Sequence, residues 1–121
     1  MARYIKVIFW KEGDYKMTTE EFKIILDKGE TDTVEFKSWI NAKNQKEIIS
    51  LAVDELIAFA NHKGGTVYFG VEDKTVEVTG CDRDYDSQRI IEGIYDRTRP
   101  SLFTEIEDFE YECKLVIAIS V

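Results

Sequence analysis

The chain has 121 residues, of which 44% are hydrophobic and 33% are charged, which fits one globular domain and is too short for two. Its formal net charge of -8 argues against a nucleic-acid interface spread over the whole surface, so such a contact must be local. No apolar run is long enough for a membrane-spanning helix, so we expect no membrane partner. Two cysteines and one histidine do not have the spacing of a zinc site, so we expect no structural zinc. The two cysteines do not indicate a disulfide framework either, which favours a cytoplasmic location.

The hydrophobic pattern predicts an α+β domain. Its elements follow the order α-β-α-β-β-α-β-β, which favours a mixed or antiparallel sheet with helices packed on it. Residues 1–16 are predicted to be an N-terminal extension or an edge strand without a functional role. Residues 17–121 are predicted to form the domain itself.

The first predicted elements are a capped helix and a short strand. Thr18 and Glu21 have the spacing of a capping box, which predicts a helix over Thr19–Lys28 that ends at Gly29. The next segment, Val34–Lys37, alternates apolar and charged side chains, so it predicts a strand with one buried face.

The middle of the chain carries the strongest helical pattern, over residues 47–62. Its core stripe is predicted to consist of Ile49, Val53, Leu56 and Ala60, widened by Ile48, Ala52 and Phe59. A strand over residues 66–72 follows, and a turn at Asp73 leads into a short strand around Val76 and Val78.

The last third of the chain predicts a helix and a hairpin. Asp86 or Ser87 has the side chain of an N-cap for the third helix, which must end before Pro100. Two strands over residues 103–112 and 114–121 then form a hairpin.

Three acidic residues are candidates for a metal site. Glu30 precedes the first predicted strand, Glu35 lies within it, and Asp73 follows a strand that is expected to pair nearby. Converging carboxylates would suit Mg²⁺ or Mn²⁺ and could support phosphodiester cleavage, with Lys37 stabilising the developing charge on the phosphate. In a chain with 24 acidic residues, the alternative is that these three lie apart on a solvated surface.

A local basic segment is the candidate nucleic-acid contact, because residues 36–46 contain three lysines and no acid. Trp39 within this segment is placed to stack on a base, or alternatively to cover the edge of the core. Arg97 and Arg99 are further candidates, at the end of the third predicted helix. Their alternative role is to stabilise that helix by balancing the negative C-terminal end of its dipole. The basic candidates are Lys37, Lys43, Lys46, Lys63, Arg97 and Arg99.

Four blocks of the sequence closely resemble the Schlafen AlbA-type DNA-binding domain. These blocks are residues 29–37 (GETDTVEFK), 57–61 (IAFAN), 64–73 (GGTVYFGVED) and 78–80 (VTG). The resemblance runs from about Met17 to the C-terminus. It implies a nucleic-acid-binding module of the kind found at the N-terminus of transcription regulators and ATP-dependent helicase-related proteins.

The resemblance also bears on the acidic residues. Animal Schlafen relatives with ribonuclease activity use three acids; Glu30 and Glu35 match the first two, and Asp73 matches the third. A metal-dependent endoribonuclease is therefore one alternative, and a protein-interaction or oligomerisation module, which suits the negative charge, is another. The expected partners are DNA or RNA, bound weakly, and a second copy in a homodimer, with further C-terminal domains expected to be absent from this chain.

Overall fold

The computed structural model describes residues 16–40 and 44–121, so the predicted extension over residues 1–16 lies outside it apart from Lys16. Within the described residues, helices and strands alternate along the chain. They are α1 (Thr19–Lys28), β1 (Val34–Lys37), α2 (Gln45–Ala60), β2 (Thr66–Phe69), α3 (Ser87–Arg97), β3 (Glu105–Tyr111) and β4 (Lys114–Ser120). No helix in these two ranges is long and apolar enough to cross a membrane.

The four strands form one mixed sheet in the order β1-β2-β4-β3. β1 and β2 run parallel, whereas β4 pairs antiparallel with both β2 and β3. The parallel pair is connected through α2, while β3 and β4 form the predicted hairpin. The predicted α+β class with a mixed sheet is confirmed.

Helices cover both faces of the sheet. On one face, α2 and α3 pack against inward residues of β2 and β4, including Val67, Phe69 and Ile117. On the other face, α1 buries Phe22 against Tyr68 and residues of the hairpin. Because side chains alternate along each strand, the sheet contributes to two separate cores.

Capping side chains determine where the helices begin. The backbone N–H of Glu21 donates to Thr18 Oγ1 at 3.1 Å, and the N–H of Thr18 donates to Glu21 Oε1 at 2.9 Å, which confirms the capping box of α1. Asp86 caps α3, as predicted, by accepting from the N–H of Arg89. α2 begins two residues earlier than predicted, at Gln45, because the side chain of Asn44 is its N-cap.

Two details of the predicted middle segment were wrong. The buried stripe of α2 is rotated from the predicted one: Val53 is half-buried and Ala60 is exposed. The predicted strand around Val76 and Val78 is absent, and only an isolated bridge between Val71 and Val78 remains. Val76 has a φ of 61°, which an extended strand cannot contain, so the chain turns there instead.

Candidate functional site

The site is built on β1, an edge strand of the described sheet. Phe36 is buried on the α1 face, so the alternation of the strand places Glu35 and Lys37 on the α2 face. Lys37 Nζ lies 3.8 Å from Glu35 Oε2, with side-chain exposures of 28% and 22% respectively. Both side chains are therefore partly shielded from water.

Glu30 reaches the outer side of the same strand. A backbone bridge between Thr31 and Val34 turns the chain back on itself after α1. The carboxylate of Glu30 then accepts a hydrogen bond from the backbone N–H of Phe36 at 3.0 Å. Glu30 thus satisfies an amide that the neighbouring strand does not reach.

A third carboxylate comes from α2. Glu55 is close enough to form a side-chain hydrogen bond with Glu35, and so is Glu30. Burial, these two hydrogen bonds and the negative charges of both neighbours raise the pKa of Glu35 to about 8. At neutral pH, Glu35 therefore holds a proton that it can donate to a neighbouring carboxylate.

Asp73 is exposed in the turn after β2, and the contacts found for Glu35 involve Glu30, Lys37 and Glu55 instead. Within residues 16–40 and 44–121, no group of three His, Cys, Asp or Glu side chains is arranged to hold a metal ion. Asp73 does not take part in the contacts of Glu35, so the structure does not bring the three predicted ligands together. The metal set of Glu30, Glu35 and Asp73 stays a prediction.

Sequence reasoning missed Glu55, although α2 carries a signal for it. Glu55 lies three residues after the buried Ala52 and four before the buried Phe59, so helical spacing places it beside the sheet-facing stripe. A carboxylate next to an otherwise apolar stripe indicates a polar partner on the facing strand.

The predicted basic contacts lie in different environments. Lys46 is exposed in the first turn of α2, whereas Lys63 pairs with Asp32 at 3.2 Å. His62 is 3.7 Å from the same carboxylate. Lys43 lies outside the described residues. Within the described part of the chain, Lys37 and Lys63 each lie beside a carboxyl group, at 3.8 and 3.2 Å, whereas Lys46 has no carboxyl group that close.

Trp39 has two predicted roles, stacking on a base and covering the edge of the core. Its side chain is only 9% exposed and belongs to the core between the sheet and α2. The indole meets the Phe69 ring edge to face, with centroids 6.1 Å apart. This burial favours the alternative interpretation, a residue that closes the edge of the core, and the stacking role stays a prediction.

A cleft of about 500 Å³ lies beside Trp39, between the loop over residues 79–83 and the β3–β4 turn. Cys81 lines it, but its thiol donates to the carbonyl of Phe69 at 3.1 Å, and burial raises the pKa of this thiol to about 12. A thiol that stays protonated is a poor nucleophile, so Cys81 does not supply cysteine chemistry to the cleft.

Comparisons with known proteins agree with this fold. The family described as Schlafen, AlbA_2 matches residues 30–121. The DIP2311 protein from Corynebacterium diphtheriae superimposes with a TM-score of 0.63 at 22% identity, over 83% of this chain and 24% of that one, so the present chain spans about a quarter of its length.

A second solved structure is similar over most of its own length. It is the N-terminal domain of a protein from Nitrosomonas europaea described as related to the ATP-dependent DNA helicase RecG, with a TM-score of 0.56 at 17% identity. The match covers 88% of this chain and 73% of that domain. At such identities the two structures support the fold, while the family match extends over most of the chain. The protein belongs to the Schlafen AlbA_2 family.

Proposed function

We propose that this domain is a nucleic-acid-binding module of a transcription regulator. The observation that carries the proposal is the family match over residues 30–121, together with the similarity to the N-terminal domain of a helicase-related protein. A fold alone does not establish a function. Binding of nucleic acid also requires a surface that a polyanion can approach.

The distribution of charge supports such a surface in spite of the net charge of -8. Acidic side chains concentrate on β3, an edge strand of the described sheet. The layer formed by α2 and α3 is more balanced, because it exposes both cations (Lys46, Arg89 and Arg97) and acids (Asp54, Glu92 and Asp96). A nucleic acid would be repelled from the β3 edge and approach from the helical layer. The acids on β3 are Glu105, Glu107, Asp108 and Glu110.

Removing two lysines should weaken this contact. We expect the double variant Lys43→Ala and Lys46→Ala to bind DNA and RNA about tenfold more weakly at low salt, for all sequences alike, because phosphate contacts carry no sequence information. The slope of log K against log salt should fall by about 2, one for each lost phosphate contact. Fluorescence anisotropy over a salt series measures both quantities.

The double variant Lys23→Ala and Lys28→Ala is the matched control, because both lysines are exposed on α1, on the opposite side of the sheet. It should leave affinity and salt slope unchanged. Equal losses in the control and in the variant without Lys43 and Lys46 would mean that only net charge matters. Absence of any binding at low salt would contradict the proposed function and favour a protein-interaction module.

The alternative of a metal-dependent ribonuclease leads to a separate prediction. No three His, Cys, Asp or Glu side chains of the described ranges are arranged around one metal position, so we expect Mn²⁺ to leave the melting temperature of the domain unchanged near pH 6.5. Differential scanning fluorimetry with and without the metal measures this. A rise of several degrees that Asp73→Asn abolishes would contradict our expectation and restore the predicted metal set.

A further inference from the structure

Two aromatic side chains, one in the last turn of α3 and one beyond it, are exposed together. Phe103 is 80% exposed and Tyr95 is 40% exposed, with ring centroids 5.1 Å apart and planes tilted by 59°. Phe103 is the most exposed of the large hydrophobic side chains in the described part of the protein. An aromatic pair left in water forgoes the free energy of burial unless a ligand covers it.

Two arginines lie at the same helix end. Arg97 Nη1 donates to Ser50 Oγ at 2.9 Å, and Arg99 Nη1 donates to the backbone carbonyls of Asp96 and Thr98 at 2.9 and 2.7 Å. Neither guanidinium forms an ion pair with a carboxylate in the described ranges. Each therefore keeps its Nε and Nη2 donors available, while one anchored nitrogen restricts its position.

Arg97 lies beside the face of α2 that carries Lys46. Ser50, which holds Arg97, lies one helical turn after Lys46, so these two positions share a face of α2. Lys46 is the exposed lysine already proposed to contact phosphate. Lys46 and Arg97 therefore lie on one side of the helical layer, where the acids Asp54 and Asp96 are also exposed.

We propose that Tyr95, Phe103, Arg97 and Arg99 bind single-stranded nucleic acid, with unpaired bases stacking on the rings and phosphates held by the guanidiniums. Exposed aromatic rings beside cations are the combination that recognises unpaired strands, since every base offers a π-face and every linkage a negative charge. Bases in a duplex are already stacked and cannot use the rings. The inference rests on the proposed function and adds the form of nucleic acid and the residues that contact it.

The test compares two fluorescein-labelled probes of about 12 units, an oligothymidine and a deoxyribose-phosphate oligomer without bases, by fluorescence anisotropy. Phe103→Ala should weaken binding of the oligothymidine roughly tenfold and leave the abasic probe unchanged. Phe103→Trp should retain affinity, whereas Phe103→Leu should lose it. The pair Arg97→Gln and Arg99→Gln should weaken binding of both probes, because both carry phosphates.

Ile24→Ala is the matched control, since Ile24 is 58% exposed on α1, across the sheet from α3. Unchanged affinity of Phe103→Ala for the oligothymidine would overturn the stacking surface while leaving the proposed function in place. Equal losses on the two probes would also overturn it. Phe103→Ala could instead convert a dimer to a monomer in sedimentation without changing the affinity for the oligothymidine. In that case a second copy of the chain covers the rings, and the proposal fails. If the parent protein binds neither probe, the proposed function itself fails.

Discussion

Replacing Phe22 by Ala should cost about 3–5 kcal/mol of the free energy of unfolding. Phe22 is the one residue of α1 that is fully buried, and its ring contacts three others edge-on or tilted. The centroid distances are 5.2 Å to Tyr68, 4.9 Å to Phe109 and 5.4 Å to Tyr111. Truncation would leave a cavity between the helix and the sheet and remove the main anchor of α1.

Urea denaturation measures this loss, with the control Ile24→Ala on the same helix. Ile24 is 58% exposed, so its truncation should cost less than about 0.5 kcal/mol. The loss in free energy of unfolding for Phe22→Leu should lie between those of Phe22→Ala and Ile24→Ala, because leucine keeps part of the apolar volume. A loss below about 1 kcal/mol for Phe22→Ala would mean that α1 contributes little to the stability of the domain.

Replacing Glu35 by Gln should remove a pH dependence of stability. The pKa of Glu35 is raised from its usual 4.5 to about 8, so between these values the folded protein holds a proton that the unfolded chain has lost. Stability therefore falls as the pH rises through this window. We expect this one residue to account for a decline of about 2 kcal/mol between pH 5 and pH 8, after allowance for solvent screening.

The Gln variant keeps a neutral side chain that can donate hydrogen bonds to Glu30 and Glu55 at every pH. It should match the parent protein near pH 5 and exceed it in stability near pH 8, as measured by urea denaturation at each pH. Glu77→Gln is the control, because Glu77 is exposed in the turn after β2 and should not alter the slope. If the free energy of unfolding depends on pH in the same way in Glu35→Gln and in the parent protein, the cluster formed by Glu30, Glu35 and Glu55 is contradicted.

The parts of the fold that local chemistry determines could be predicted from the sequence. The bounds of α1 and β1 follow from a capping side chain, a glycine with a φ of 75° at position 29 and an alternating strand. The absent strand around Val76 shows the limit of such reasoning. Its alternating valines favour an extended chain, whereas the single contact of Val78 with Val71 and the left-handed backbone of Val76 make a turn.

The candidate site depended on packing between distant segments and could be predicted only in part. Strand alternation places Glu35 beside Lys37, but the approach of Glu55 depends on the rotation of α2 against the sheet. The predicted stripe of α2 was centred on Val53, and the rotation that half-exposes Val53 also changes which side chains flank the sheet. Trp39 was ambiguous for the same reason, since only the packing of the helical layer decides whether its ring is covered.

The hydrogen bond from the Phe36 amide to Glu30 has a consequence for self-association. β1 ends the described sheet, and an exposed strand edge is a template on which another chain can add a strand. A carboxylate seated on the outward amide occupies the position that an incoming carbonyl oxygen would need, and its charge would repel that oxygen. Glu30 therefore disfavours the addition of a further strand at the β1 edge. A variant without this side chain should aggregate more readily, apart from any effect on chemistry at the site.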